Sequence, residues 1–242
     1  MFVISPNQIN MPLRQWALSN LHNRDKFVHS WLEKLPAGST ILDAGAGVQR
    51  YKEKAQSCSL HYTSQDFGNY TGGETFGSKS VGQWNSQTCD IVSDITCIPI
   101  DDNSFDFVLC TEVFEHLPSP ELALEELTRL LKPGGTLLIT APFRCLYHQD
   151  PYFFYSGFSK YWYEHFCKNC KLEIQSLMPN GNYYTDLAQE IARTTSFGKP
   201  WLRLLTKIIS FPMLIQLYLL DKTFKTKSPE SCWGYHLVAQ KL

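Results

Sequence analysis

The sequence predicts a doubly wound α/β fold built on a mostly parallel sheet. Three observations favour it: short apolar runs that end at polar residues, helical stretches between those runs, and a glycine turn, Gly45 and Gly47, directly after the first run. Strands that alternate with helices imply right-handed crossovers in one parallel sheet. A chain of 242 residues that is 43% hydrophobic can bury one sizeable core. We therefore expect a single domain with an elaboration.

The elements follow in order along the chain. Apolar residues at mostly helical spacing from Met11 to Leu35 predict a helical lead-in within residues 1–36, which Pro36-Ala37-Gly38 ends. A helix is predicted from Pro120 to Leu131, with Leu122, Leu127, Leu130 and Leu131 on one face. The predicted central strands are 40–42, 61–65, 91–93, 105–110 and 136–140.

Two late strands, 171–177 and 236–241, complete the predicted sheet, and we expect the last one to be antiparallel. Roughly fifty residues separate these strands, more than an ordinary hairpin needs. The sequence therefore predicts a helical insertion at about 182–229. Residues 37–145 form the expected core of the domain, and 146–242 form its variable part.

Composition narrows the class of partner. The formal net charge is -1, with basic residues scattered over most of the chain, so we expect no nucleic-acid partner. Eight cysteines stand at irregular spacing, and the N-terminal residues lack a basic segment followed by an apolar one. We expect a cytoplasmic protein with reduced thiols. The oligomeric state is left open.

Glycine and acidic residues stand at the ends of the predicted strands. Ligands of an open parallel sheet bind there, and Gly45 and Gly47 permit a tight turn that a ligand can approach closely. The dinucleotide fingerprint needs a third glycine where this chain has Arg50, which disfavours an NAD site. Asp43, just before the turn, suits a cofactor with a cationic amino-acid group better than a pyrophosphate.

Two further acidic residues extend this set. Asp66 lies 23 residues after Asp43, where a carboxylate can accept both hydroxyls of a ribose. Asp94 and Ile95 follow the third strand and supply an acceptor and an apolar face for an adenine ring. Each residue alone also fits a helix cap or a plain turn. Their combination, in order, favours a nucleotide-type cofactor.

Four segments and Asp66 carry a family resemblance. ILDAGAG (41–47), SDIT (93–96), FDFVLCTEVFEHL (105–117) and LKPGGTLLIT (131–140) resemble class I S-adenosylmethionine-dependent methyltransferases of type 11 over about residues 36–145. The resemblance implies a Rossmann-like sheet and S-adenosyl-L-methionine as cofactor. One departure is Gln49, where the fuller family turn often has a third glycine.

The resemblance also assigns the cofactor contacts. It implies a methionine side at Asp43, Gly45, Ala46 and Gly47, a ribose side at Asp66 with its neighbour Phe67, an adenine side at Asp94 and Ile95, and a crevice floor at Thr111 and Glu112. Histidine suits proton transfer near neutrality. His116 is nevertheless expected to cap the next helix or support the pocket, because its segment recurs in family members with very different substrates.

The acceptor is expected to bind in the segment after the fifth strand. Methyl transfer to a hydroxyl needs alignment and removal of a proton, and His148 and Asp150 are the candidate bases. Ten aromatic residues between Phe143 and Tyr163 suit a sugar or another ring, although packing explains most of them equally well. HQDPYFFYSGFSKYW (148–162) resembles methyltransferases of polysaccharide and glycolipid biosynthesis, in which H-x-x-P-x-x-[YF] precedes a helix.

A metal site is the alternative use of His148. Cys145, His148, Cys167 and Cys170 have the types and short spacings of zinc ligands. Small thiols at a helix-to-strand turn commonly fill core space instead, so no metal is assigned.

The insertion contains a strongly apolar stretch, 201–220, which Arg203, Lys207, Pro212 and Gln216 interrupt. This disfavours a transmembrane helix. Two interpretations remain: a lid packed on the domain, or an interfacial helix whose apolar face enters lipid while basic residues meet headgroups. The basic residues are Arg203, Lys207, Lys222, Lys225 and Lys227, so the membrane contact would run through 201–227.

Together these features predict a methyltransferase that uses S-adenosyl-L-methionine. Its acceptor is expected to be a small molecule, a glycan or a lipid-linked glycan, methylated at oxygen. The alternatives are a noncatalytic module that keeps the cofactor pocket, and an NAD-dependent oxidoreductase. A membrane contact would make the cytoplasmic protein membrane-associated.

Overall fold

A computed structural model describes residues 13–68, 88–224 and 231–242. Seven strands lie within these ranges: β1 (Thr40–Ala44), β2 (His61–Asp66), β3 (Ile91–Val92), β4 (Phe105–Thr111), β5 (Leu131–Pro142), β6 (Leu172–Asn180) and β7 (Gly234–Lys241). They form one sheet in the order β3-β2-β1-β4-β5-β7-β6. The first five strands pair in parallel, and β7 is antiparallel to both β5 and β6. The predicted sheet with an antiparallel last strand is confirmed.

The seven helices of the described ranges are α1 (Leu13–Ala17), α2 (Asn20–Leu32), α3 (Lys52–Ser57), α4 (Pro120–Leu130), α5 (Lys160–Asn169), α6 (Tyr183–Thr194) and α7 (Pro200–Phe224). A short 3-10 helix, Phe114–His116, follows β4. The lead-in thus forms two helices. Met11, where it was predicted to begin, lies outside the described residues.

The chain leaves β1 toward β2 and β3 and then returns to place β4 on the other side of β1. Crossovers diverge at such a switch point, which opens a crevice at the carboxyl ends of the strands. Ile41 and Leu42 of β1 are fully buried, so the strand runs through the core. The glycine turn therefore lies at the mouth of this crevice.

Helix α4 differs from its prediction in register. Its buried face consists of Ala123, Leu124, Leu127 and Leu130, whereas Leu122 is 48% exposed. The helix begins at Pro120 after Ser119 and packs against β5 and α5, and the stripe it buries at three- and four-residue steps does not include Leu122. Leu131 belongs to β5. In the same way β3 ends at Val92, two residues before Asp94.

The predicted insertion between the last two strands consists of α6 and α7. Asn182 caps the N-terminus of α6 in a capping box. The Thr185 amide donates to the Asn182 side chain, and the Asn182 amide donates to the Thr185 hydroxyl. Helix α7 packs on α6 and α1 and buries only Ser210, Leu214 and Leu217.

Pro212, one of the residues that interrupt the apolar stretch, lies inside α7. The helix of 25 residues is long and apolar enough to cross a membrane by length and composition, so neither criterion excludes it from a bilayer.

Candidate active site

A cavity of about 1050 Å³ opens at the carboxyl ends of the strands. It collects residues from the turn after β1, the end of β2, the loop after β3 and the end of β4. Nine of the ten predicted cofactor residues line it: Gly45, Ala46, Gly47, Asp66, Phe67, Asp94, Ile95, Thr111 and Glu112. The ends of strands that are far apart in the sequence thus meet at this cavity.

The glycine turn is held tightly against its neighbours. Gly45 and Gly47 have φ angles of 69° and 50°, in the left-handed region that glycine tolerates best. A Cβ on Gly45 would stand 2.4 Å from Cγ2 of Val113, so no larger residue fits. The Gly47 amide donates to Oδ2 of Asp66 at 2.9 Å, which ties the turn to the end of β2.

Asp66 keeps acceptor capacity toward the cavity. Oδ2 accepts from the Gly47 amide, and within the described residues Oδ1 accepts a long bond of 3.3 Å from the Gly68 amide. The side chain is 4% exposed and lines the cavity. An ionised carboxylate in this position can accept the hydroxyls of a ribose.

Asp43 is the exception among the predicted cofactor residues. Its carboxylate is 2% exposed, lies outside the cavity lining and accepts the Tyr62 hydroxyl at 2.6 Å. The side chain projects from the same face of β1 as Ile41, because alternate strand residues share a face. Burial raises the pKa of Asp43 to about 7. The structure places this carboxylate against Tyr62 rather than in the cavity lining, so its direct contact with the cofactor stays a prediction.

Glu112 ends β4 in an unusual conformation. Its φ angle is 54°, in the left-handed region, which is strained for a residue with a Cβ and occurs often at functional sites. The Thr140 hydroxyl donates to Oε1 at 3.0 Å, and Arg24 of α2 pairs with Oε2 at 3.3 Å. Sequence reasoning missed Arg24, which also lines the cavity, because nothing in the lead-in marks it.

The loop after β5 forms another wall of the cavity. His148 lines the cavity, and its Nδ1 lies 2.8 Å from the carbonyl oxygen of Leu146. Asp150 is exposed, lies outside the lining and accepts the hydroxyl of Tyr147. The structure therefore brings His148, and not Asp150, to the cofactor residues.

His116 lies against the loop that forms this wall. Its Nδ1 lies 2.6 Å from the carbonyl oxygen of Tyr152, and burial lowers its pKa to about 4. The ring is therefore neutral at pH 7. The residue before α4 is Ser119, so His116 does not cap that helix. Its neighbour Glu115 is 1% exposed, and burial raises the pKa of its carboxyl well above the usual range.

Five of the ten aromatic residues in the 143–163 segment fall into two groups. Phe158 and Tyr163 are buried in the core, as packing alone predicts. Tyr147, Tyr152 and Phe154 line the cavity. Tyr152 also contacts Phe67 edge to face, with ring centroids 5.1 Å apart, so the loop touches the cofactor side.

The four residues considered as zinc ligands do not assemble. Cys145 and His148 line the cavity, whereas Cys167 is buried in the hydrophobic core with Cys170 packed at its edge. Among the described residues, the set does not form a cluster of ligand atoms.

Helix α6 supplies a further wall that sequence reasoning missed. Gln189, Glu190 and Arg193 line the cavity, as does Trp233 before β7. Helix α7 packs on the domain through α6 and α1, as the lid interpretation expects, but none of its residues lines the cavity. Its apolar stretch turns away from the cavity.

Comparisons with known proteins agree with this geometry. Residues 42–139 match a family described as a methyltransferase domain. A demethylmenaquinone methyltransferase of Renibacterium salmoninarum is 30% identical over 118 residues, 46% of this chain and 47% of the relative. A 2-methyl-6-phytyl-1,4-hydroquinone methyltransferase of Synechocystis sp. is 30% identical over 130 residues, 49% of this chain and 38% of the relative.

One solved structure covers nearly the whole chain. The phosphoethanolamine N-methyltransferase 2 of Haemonchus contortus, in complex with S-adenosyl-L-methionine, matches 95% of this chain and 56% of its own with a TM-score of 0.53 at 16% identity. Residues 42–139 thus match a methyltransferase domain, and this match supports S-adenosyl-L-methionine as the cofactor. The matches span less than half the length of either curated relative.

The residues present fit this cofactor. The turn at Gly45 and Gly47 lines the cavity without side chains in the way, Asp66 retains an oxygen for a ribose, and Ile95 offers a buried apolar surface beside Asp94. These residues would hold the methionine, ribose and adenine parts respectively.

Proposed function

We propose that this protein transfers a methyl group from S-adenosyl-L-methionine to a hydroxyl of a ring-bearing acceptor, a glycan or a hydroquinone, that is linked to lipid. One observation carries the proposal: a single cavity contains both the cofactor residues and the ring of His148. The carbonyl of Leu146 fixes Nδ1 of that ring as the protonated nitrogen, which leaves Nε2 to accept a proton.

When bound, S-adenosyl-L-methionine supplies a methyl group on a positively charged sulfur. The acceptor oxygen forms a bond to the methyl carbon as the carbon–sulfur bond breaks, and that electron pair stays on sulfur. As long as Nε2 of His148 is not bound to a metal ion, the hydroxyl proton passes to that nitrogen. The cavity walls contribute by aligning the acceptor oxygen with the methyl group and by excluding water.

The cavity chemistry supports a ring as the acceptor. Tyr147, Tyr152 and Phe154 present aromatic faces and edges to it, and Gln189 with Arg193 adds polar groups on another wall. Aromatic walls with a few polar groups bind flat rings and sugars. Two relatives of the cofactor half are named for quinone or hydroquinone methylation.

The apolar surface of α7 supports a lipid-linked acceptor. Large hydrophobic side chains at 36% exposure or more crowd this helix: Trp201, Leu202, Leu204, Leu205, Ile208, Ile209, Phe211, Met213, Ile215, Leu219 and Phe224. A contiguous apolar surface of this kind marks a contact with protein or membrane. Arg203, Lys207 and Lys222 are exposed on the same helix and suit anionic headgroups.

An interfacial position fits α7 better than a membrane-spanning one. Ser210, Leu214 and Leu217 pack into the protein, and Asp221 accepts bonds from Trp16 at 3.2 Å and Asn182 at 2.6 Å. A helix held along one face cannot be surrounded by lipid. We propose a peripheral contact on the cytoplasmic face of a membrane. Lys225 and Lys227, also predicted to meet headgroups, lie outside the described residues.

The activity is tested with radiolabelled methyl donor and extracted membrane lipids. The proposal expects label in the organic phase, loss of that label in His148→Gln, and unchanged rates in His165→Gln, an exposed histidine on α5. Cofactor binding without transfer to any lipid, glycan or quinol would indicate the noncatalytic module. Thermal protection by NAD but not by S-adenosylhomocysteine would indicate the oxidoreductase.

The membrane contact is tested by flotation with vesicles of phosphatidylcholine and phosphatidylglycerol. The triple variant Leu204→Glu, Ile208→Glu, Phe211→Glu alters side chains that are 61%, 63% and 58% exposed, so the fold should tolerate it. The matched control is Tyr161→Glu on α5, which is 67% exposed. We expect only the triple variant to stay in solution. Wild type that fails to float contradicts the contact.

A further inference from the structure

Three ligand-bearing side chains meet at the acceptor wall of the cavity. Glu115, His116 and His148 each offer one ligand atom, and these atoms lie within 4.8 Å of one another. All three residues line the cavity. Glu115 and His116 come from the 3-10 helix after β4, and His148 comes from the loop after β5.

Both histidines are oriented in the same way. Nδ1 of His116 faces the carbonyl oxygen of Tyr152 at 2.6 Å, and Nδ1 of His148 faces that of Leu146 at 2.8 Å. A carbonyl accepts only from a protonated nitrogen, so each ring carries its proton on Nδ1 and keeps the lone pair of Nε2. A backbone carbonyl on the second ring nitrogen is the usual support of a metal-binding histidine.

Glu115 supplies a buried carboxylate with one unpartnered oxygen. The residue is 1% exposed, and Oε2 has no hydrogen-bond partner among the described residues. Oε1 stands 3.7 Å from Nε2 of His116, and Arg24 pairs with Glu112 instead. A buried carboxylate is costly unless a charge compensates it, and a divalent cation would do so.

The position of the carboxylate is set by its backbone. The carbonyl of Glu115 accepts the amides of Phe154 and Tyr155 at 2.9 and 3.2 Å. These bonds fasten the loop that carries His148 to the 3-10 helix. The three side chains are therefore held together by the same contacts that shape the acceptor wall.

We propose that Glu115, His116 and His148 bind a zinc ion through one carboxylate oxygen and two Nε2 atoms. Two histidines and one glutamate are a ligand set of catalytic zinc, which keeps its fourth position open. Zinc–ligand bonds of about 2.1 Å place tetrahedral ligands roughly 3.4 Å apart, close to the separation of Glu115 from His116. Because all three residues line the cavity, the open position would be accessible from it.

This site refines the proposed function and rests on it for its role. An acceptor hydroxyl in the open position would bind zinc through oxygen and release its proton to solvent, because a bound cation stabilises the oxyanion. His148 is then a ligand, and the proton no longer passes to its ring. The methyl transfer itself is unchanged.

Zinc binding is measured without acceptor or cofactor, by dialysing tag-free, chelator-treated protein against zinc chloride. We expect one zinc per chain in wild type and at least about 10–100-fold weaker binding in His148→Ala, whose half-exposed side chain can be removed without a buried defect. His165→Ala is the matched control and should bind like wild type. Equal binding by wild type and His148→Ala, or no zinc in wild type, overturns the site.

Cobalt substitution identifies the ligands. A spectrum of a nitrogen and oxygen site supports the proposal, whereas thiolate charge transfer would assign the metal to cysteines and overturn it. The experiments distinguish a failure of the zinc site from a failure of the proposed function. Chelated protein that methylates lipid at the full rate refutes the zinc role and keeps the transferase, while bound zinc without any methyl transfer keeps the site and refutes the transferase.

Discussion

Acidification should destabilise the fold through His236. This histidine lies on β7, is 5% exposed and stacks on Phe27 of α2 with ring centroids 4.4 Å apart. Burial, with a smaller effect from the positive charge of Arg24, lowers its pKa to about 3. The folded ring therefore stays neutral at a pH where the ring of the unfolded chain is charged.

The sign and size of the effect follow from proton binding. Below pH 6.5 the unfolded chain takes up a proton that the folded protein refuses, so stability is complete above that pH and falls as pH drops toward 3. Between pH 7.5 and 5.5 the loss is about 1.4 kcal/mol, from RT ln 10 with an unfolded pKa of about 6.5. For a chain of this size that lowers Tm by roughly 3–6 °C.

Differential scanning fluorimetry of His236→Phe at the two pH values tests this prediction. Phenylalanine keeps the stack on Phe27 but cannot titrate, so the variant should lose roughly 3–6 °C less than wild type on acidification. His61→Phe, at the exposed start of β2, is the control and should behave like wild type. An equal loss in His236→Phe and wild type would refute the reasoning.

Three further predictions follow from the site and its supports. Gly45→Ala places Cβ 2.4 Å from Cγ2 of Val113, so it should lower the free energy of unfolding by more than about 2 kcal/mol. Calorimetry should show that this variant no longer binds S-adenosylhomocysteine. The control is Gly38→Ala, at a φ of 84° with nothing within 4 Å of the added Cβ, which should cost only about 1–2 kcal/mol of stability and leave binding intact. Similar binding by both variants contradicts this. Asp66→Asn removes the charge from a ribose acceptor and should weaken the cofactor by about 10–100-fold, and unchanged affinity would exclude that role. Asp186→Asn should lower the free energy of unfolding, measured in urea, by about 1–2 kcal/mol. The buried carboxylate of Asp186 forms an ion pair with Nε of Arg144 at 2.8 Å, and the half-exposed position of that arginine keeps the effect modest. A free energy of unfolding equal to that of wild type would show that the pair contributes nothing.

The cofactor half of the site was readable from sequence because its signals are local. A strand, a glycine turn and the acidic residue at the next strand end are short patterns whose meeting point follows from parallel strand order. Asp43 shows the limit of this reasoning. Its position along β1 was clear, but the alternation of side chains sends its carboxylate to Tyr62 and away from the cavity.

The sequence by itself determined the α/β fold, the antiparallel last strand, the insertion and most of the residues at the cofactor cavity. Only the tertiary structure decided which distant side chains meet. Arg24 reaches Glu112, His148 reaches the 3-10 helix, and α7 turns its apolar surface outward rather than over the site. Such contacts join elements far apart in the chain, so they depend on how helices and loops pack on the sheet, which no local pattern encodes.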